Sequence, residues 1–433
     1  MKMPGRFGRN VISNAGGNAI HGGLQIVLLF VLFQLLDDTG CAAFITATYL
    51  IGLLEMASDF GGRLWAVREF SVSATPRSVL SQSLRCKLFY TLTSAVLLFL
   101  LPRNTLSASG FMLSVLVAAT QPGTDPFLWF LRAKERLDAE AVVVLISRVV
   151  MALGMIAAAL LGCDLTALLL IWLTCNVLRM LVESRLNVVG PLFAGKVTGD
   201  ARSLGTFGKT ITATFPVGAG LVLVCLFQRA TPFLLEAFAT PRDIKIYGTA
   251  FKLVNTSGLI ATGVFVSSFA LLAKAIESND LNAIKTVIRR KLMLVTIVFL
   301  PVCLLGILFS VPVSGMFAHR GLDEVAQITV LMMPGLYLSC INMGLKYTLN
   351  AYALNWHDVA AVVTGIAVLT LVTVFHGSLS WQVAAALGWG LGEATLLVAR
   401  LGLLWQQRKH RGVPVGVILG SVAALMLMIV VSR

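Results

Sequence analysis

Ionisable and amide side chains recur inside the apolar segments of this chain, and their spacing is helical. Asn14, Asn18, His21 and Gln25 follow one another at steps of four, three and four, which sets all of them on one helical face. Glu55, Asp59 and Arg63 repeat every four residues. Asn176, Arg179 and Glu183 share a face, as do Thr249, Lys252 and Thr256, and again Asn342, Lys346 and Asn350. Asp125, Arg148 and Arg229 each stand alone in their segments, and Glu393 and Arg400 lie in one segment near the end. A charge in hydrocarbon is costly and persists where it faces a cavity or a partner, so each of these is a candidate for binding or proton chemistry. Plainer readings stand beside that one. Arg63, Arg132, Arg179, Lys346 and Arg400 lie within about two turns of a basic segment end, where long side chains snorkel to the headgroups. Glu55, Asp59 and Arg63 read equally well as an intrahelical charge ladder, and His21 as a packing histidine. Arg148, Arg229 and Lys252 sit about two turns or more from the basic ends, beyond easy snorkelling. They are expected to face an aqueous cavity.

The elements that carry these residues follow from composition. Of 433 residues, 57% are hydrophobic and 12% charged, and the mean hydropathy is +0.87. Soluble domains carry about 25% charged residues. The expectation is an all-α, polytopic membrane protein. Spans of about 20 apolar residues fall near 11–36, 41–62, 78–101, 106–131, 138–162, 165–189, 210–236, 244–273, 286–310, 324–352, 357–376, 380–405 and 413–431. The longest polar stretch, from Leu186 to Lys209, divides them. The chain therefore reads as an N-terminal lobe of six helices (1–189), a linker (190–209), a C-terminal lobe of six helices (210–405), and a basic loop with a thirteenth helix (406–433). Two similar apolar halves around one basic loop suggest a two-lobed transporter with the substrate path between lobes.

Charge alternates between successive loops. Lys and Arg gather in the N-terminus, 63–87 (Lys87 included), 132–136, 185–209, 274–291 and 406–411, while the intervening turns carry little or mixed charge. The positive-inside rule then sets the N-terminus in the cytoplasm and accounts for the net charge of +14 without nucleic acid. Lys2, Arg6 and Arg9 precede a polar-striped segment with no small-residue cleavage site after a short apolar core, so the first helix is expected to remain in the mature protein. The seven cysteines are isolated, without metal-site spacing, and read as small hydrophobes.

Helix breakers add a second pattern. Gly16-Gly17 and Gly22-Gly23 lie in the first span, and Pro216, Gly218 and Gly220 in the seventh, which opens the second half. Breaks at corresponding places in two halves suggest a bending gate or binding site. Close helix packing explains the glycines as well. Pro122 and Pro126 bracket Asp125, Pro334 interrupts the tenth span, and Gly388 with Gly392 forms a small-xxx-small surface suited to packing. No Gly-rich phosphate loop and no H-E-x-x-H motif occurs, so neither an internal ATPase nor a zinc enzyme is expected. The expectation is a protein without cofactor, metal or enzymatic activity.

Several stretches resemble the polysaccharide-flippase (Wzx-type) branch of the exporter superfamily that also holds multidrug MATE proteins and the lipid II flippase. They are the basic start leading into Asn14, Gly16 and Gly17; Asp59-Phe60-Gly61 followed by Arg68; Trp129 with Lys134-Glu135-Arg136; and Tyr247, Ala250, Lys252 and Leu253. These matches cover about the first 275 residues, and the remainder agrees in hydropathy. The family usually has 12 or 14 helices, so an apparent thirteen is a departure. The resemblance implies a MATE-like V-shaped bundle in the bacterial cytoplasmic membrane that moves a polyprenyl-diphosphate-linked oligosaccharide to the outer leaflet, with a polysaccharide polymerase as a possible partner. On that reading Arg148, Arg229 and Lys252 hold the diphosphate, because an anion in low dielectric needs cations along its path. Asn14, Asn18, Gln25, Asn176 and Asn255 bond sugar hydroxyls, and the prenyl tail stays among membrane lipids. Glu55, Asp59, Asp125 or His21 would bind a coupling proton or sodium ion, His21 being the one whose ordinary pKa is near neutrality. Two alternatives compete. A multidrug antiporter of the same fold would want buried carboxylates and an aromatic cage, and the excess of buried cations argues against it. An integral-membrane acyl- or glycosyltransferase would have to draw on the scattered His21 and Glu393.

Overall fold

The computed structural model describes residues 20, 22–72, 76–99, 104–133, 137–185, 204–278, 280–317, 322–352, 354–375, 377–406 and 413–431, and among them there is no strand. Backbone N–H and C=O groups in hydrocarbon have no water to bond, so a spanning segment satisfies them within itself as a helix. The helices are α1 (Gly22–Leu35), α2 (Asp38–Asp59), α3 (Gly62–Val72), α4 (Pro76–Leu98), α5 (Ala108–Ala119), α6 (Gln121–Ala133), α7 (Leu137–Leu160) and α8 (Leu165–Arg185). They continue as α9 (Leu204–Phe238), α10 (Pro241–Glu277), α11 (Leu281–Phe317), α12 (Leu322–Ala351), α13 (Asn355–Val374), α14 (Trp381–Gln406) and α15 (Val415–Val431). Eight of them contain a stretch long and apolar enough to cross a membrane unaided. The chain is an all-α, multi-pass membrane protein.

Two compact units divide it, Met1–Arg229 and Ala230–Arg433, and the boundary falls within α9. Each has one enclosed helix. In α2 and α12, 72% of the apolar window is buried, against 44% or less in the other six candidate spans. In the first unit α2 packs on α4, α5 and α8; in the second α12 packs on α10, α11, α13, α14 and α15.

Two stretches differ from the sequence expectation. The span at 106–131 is two helices, α5 and α6, parted at Thr120. Pro122 has no N–H for the carbonyl of Ala118. The chain tightens there, with the Thr120 N–H on Val117 O at 3.2 Å and the Gly123 N–H on Thr120 O at 3.0 Å. The basic loop at 63–87 is also structured, as α3 and the first half of α4. Phe60 and Gly61, both left-handed at φ 34° and 77°, end α2 and turn the chain. Asp59 Oδ1 then accepts the Arg63 N–H at 2.8 Å, so it helps to start α3 and forms no rung in a continuous ladder. Behind this turn α3 and α6 share a core of Ala66, Phe70, Phe127, Trp129 and Phe130, the Phe70 and Phe130 rings meeting edge to face at 5.5 Å.

Small residues set how closely helices approach. A side chain at Gly218 would strike the Phe60 ring and stand 2.6 Å from its carbonyl oxygen. At Gly388 it would lie 2.8 Å from Thr373 Oγ1 and 3.0 Å from Leu369 O, which locks α14 onto α13. Packing is the role the geometry gives these two glycines.

Candidate functional site

In the first unit a group of charged side chains lies around α7 and α8. Arg148, on α7, lies within electrostatic reach of Arg179, Glu55 and Asp125. One amino group of its guanidinium points at Met151 Sδ at 4.0 Å, and its Nε is buried with no hydrogen-bond partner. The neighbours are engaged elsewhere. Arg179 Nε donates to Glu183 Oε1 at 2.8 Å one turn along α8, and both side chains are buried. Asp125 is paired with Lys87, whose ammonium also lies 4.7 Å from the centre of the Trp129 ring. Asn176, on the face of α8 that carries Arg179 and Glu183, donates to Thr120 Oγ1 at 2.9 Å. The stripe read from the sequence of α8 is its buried face.

Arg229 reaches this unit from α9. Its guanidinium lies where a side chain at Gly52 of α2 would be, and Cys225, one turn earlier, faces Gly52 O at 4.0 Å. Glu55, one turn beyond Gly52, is half-buried, as is Gln25 on α1. Asn14, Asn18 and His21 lie outside the described residues. The cluster combines guanidinium groups with carboxylates, Arg148 and Arg179 with Glu55, Asp125 and Glu183. Within it the buried Nε of Arg148 is a donor without a hydrogen-bond partner.

In the second unit Lys252 and Asn255 are half-buried on α10, one helical turn apart. Next to Lys252, the buried Phe251 ring meets Tyr247 at 5.8 Å and the Trp389 ring of α14 at 5.4 Å. A second polar group lies where α12, α13 and α14 meet. Arg400 Nε donates to Asp358 Oδ1 at 2.7 Å and another of its N–H groups donates to Asn342 O at 2.8 Å. Asn342 Nδ2 donates to Glu393 Oε2 at 2.7 Å and to the Glu393 carbonyl at 2.8 Å.

This corrects the snorkelling reading of Arg179 and Arg400. They are 5% and 2% exposed and each is tied to a carboxylate inside the helices. Lys87 likewise is no loop charge, being 1% exposed midway along α4. Sequence reasoning passed over Asp358, which stands in the first turn of α13. Its signal is an acidic residue one turn into an apolar segment.

The sequence model of the family described as polysaccharide biosynthesis protein matches residues 7–269. No curated protein matches the chain in sequence. Among solved structures, the lipid II flippase MurJ in an inward closed conformation is similar at 15% identity and a TM-score of 0.67, covering 97% of this chain and 91% of that one. An inward-facing multidrug resistance MATE family transporter of the MOP superfamily is similar at 12% identity and a TM-score of 0.64, covering 96% of both chains. The eukaryotic MATE transporter AtDTX14 is similar at 12% identity and a TM-score of 0.61, with 96% and 98% covered. At such identities the likeness is one of fold.

Proposed function

Because the chain belongs to the polysaccharide biosynthesis protein family and has a MATE-like fold, we propose that it is a flippase for a polyprenyl-diphosphate-linked oligosaccharide. Its membrane would be the bacterial cytoplasmic membrane, and its mechanism alternating access. The observation that carries this reading is Arg148, with a buried Nε that has no hydrogen-bond partner, beside Arg179 and the half-buried Glu55. A diphosphate brings about two negative charges into low dielectric, and a desolvated guanidinium is the group that lowers that cost. Arg229, against Gly52, extends the cationic path within the first unit, and Lys252 supplies the cation of the second. Asn176 and Gln25 in the first unit and Asn255 in the second would bond sugar hydroxyls, together with Asn14 and Asn18. The prenyl tail would remain in lipid.

The cytoplasmic orientation of the N-terminus is supported by the basic side chains Arg63, Arg77, Arg85, Arg185, Lys209, Lys285, Arg289 and Arg290. All of them are exposed and fall in the basic segments that alternate with poorly charged turns along the sequence. Coupling to a proton or sodium gradient completes the reading, with Glu55, Asp59, Asp125 and His21 as the carboxylate and imidazole candidates of the first unit. The product would be the class of substrate that a polysaccharide polymerase consumes.

The test is leaflet exchange of a fluorescent polyprenyl-diphosphate oligosaccharide in proteoliposomes, read with a membrane-impermeant quencher. Wild type should exchange it. Arg148→Ala and Lys252→Ala should each slow exchange about tenfold or more, the loss expected when a charge-assisted hydrogen bond is removed. Unchanged exchange in both correctly inserted variants would count against the cationic path.

A further inference from the structure

We infer that the Glu393 carboxyl, on α14 of the second unit, is a proton-binding site that holds a proton while enclosed and exchanges it when α12 and α14 part. The inference does not rest on the flippase reading and goes beyond it. Glu393 is 2% exposed. The groups bonded to it from α12 are neutral: Asn342 Nδ2 donates to Oε2 at 2.7 Å, and the Ser339 hydroxyl bonds the same carboxyl.

Arg400, two turns along α14, lies within electrostatic reach of the carboxyl, and it is already matched. Its Nε is bonded to Asp358 Oδ1 of α13 and another N–H to Asn342 O. From the other packed elements come the Cys340 thiol of α12 with the Cys303 thiol of α11 near it, and from α10 the Phe251 ring against Trp389. Lys346, one turn beyond Asn342 on α12, and Lys252 of α10 are half-buried. Arg400, Asp358 and an ionised Glu393 would together leave one negative charge in excess. An enclosed carboxylate without a counter-charge is among the costliest states in a protein interior.

The carboxylic acid also carries an O–H donor that an ionised carboxylate lacks. On uptake an O–H bond forms on a Glu393 carboxyl oxygen with a proton delivered by hydronium, leaving water. On release that bond breaks and the proton returns to water. A metal ion would have to enter against the Arg400 guanidinium.

The full chain in lipid nanodiscs, without substrate, tests this. Thermal unfolding is followed across pH, and infrared spectra are taken with glutamate labelled at the side-chain carboxyl carbon. Wild type should show a labelled carboxylic-acid band at neutral pH and should lose thermal stability as the pH is raised and that proton is removed. Glu393→Gln, a permanent stand-in for the protonated form, should lack the band, melt at least as high at neutral pH, and show no such fall. A variant that keeps the wild-type pH dependence overturns the proposal, and so does a wild type whose stability does not fall. A wild-type spectrum with no protonated glutamic acid also overturns it, even if the variant fails to fold. Sodium added at fixed pH should leave the melting curve unchanged; a sodium-dependent rise that disappears in Glu393→Gln would overturn the proton in favour of a metal ion.

Discussion

Arg400 shows how strongly one side chain can hold three helices together. Its guanidinium on α14 bonds Asp358 on α13 and the backbone of Asn342 on α12. Replacing it by leucine leaves the Asp358 carboxylate, 3% exposed, without its counter-charge. Breaking a buried pair from one side costs about 3–5 kcal/mol, whereas replacing both partners by apolar groups is often close to neutral. Arg400→Leu should therefore lower the thermal stability of the purified protein severely, and Arg400→Leu with Asp358→Leu should recover most of the loss. A double variant as unstable as the single one would deny the pair its role. Residue patterns were legible where partners share a helix. Asn176, Arg179 and Glu183 follow the period of α8 and form its buried face, and Arg179 finds Glu183 one turn away. They were not legible where the partner lies on another helix. Arg400 and Asp358 are 42 residues apart and Lys87 and Asp125 are 38 apart, and no local spacing records such pairings. Hydropathy alone assigns Lys87 to a loop and Arg400 to the headgroups.

At the scale of elements, helix positions were legible from the lengths of the apolar runs, and their interruptions only in part. In α5–α6 the helix breaks just before Pro122, where the Thr120 hydroxyl bonds Val117 O and the turn closes. The proline in α12 does not break its helix, and Pro334 stays within a continuous one. Gly52 on α2 and Gly218, which faces the end of α2, separate two kinds of close approach. At Gly52 the obstacle to a side chain is the tip of the flexible Arg229, while at Gly218 it is the backbone carbonyl and ring of Phe60. Gly218→Ala should therefore destabilise by about 1–3 kcal/mol, the usual cost of overpacking. Gly52→Ala should cost distinctly less and instead displace the Arg229 guanidinium. Thermal unfolding of the two variants under the same conditions gives the comparison, and equal losses would contradict it.

For the whole molecule, the charge pattern predicts which side each loop faces. Single cysteines at Arg77, Lys209 and Arg289 should react with an impermeant maleimide from the cytoplasmic side, and cysteines at Asn104 and Thr240 from the opposite side. All five positions are exposed. Labelling of both groups from one side would overturn the orientation. The Lys87–Asp125 pair also has a consequence for biogenesis. Lys87 stands midway along α4 and is synthesised 38 residues before the carboxylate that neutralises it. A lone lysine at the centre of a nascent helix raises its insertion cost by about 3 kcal/mol. The following helices α5 and α6, of 12 and 13 residues, are each too short to cross about 30 Å of hydrocarbon alone. None of the three is a self-sufficient unit of insertion. The ribosome delivers them in succession, and the translocon has to release α4, α5 and α6 into lipid as one parcel, its charges already matched.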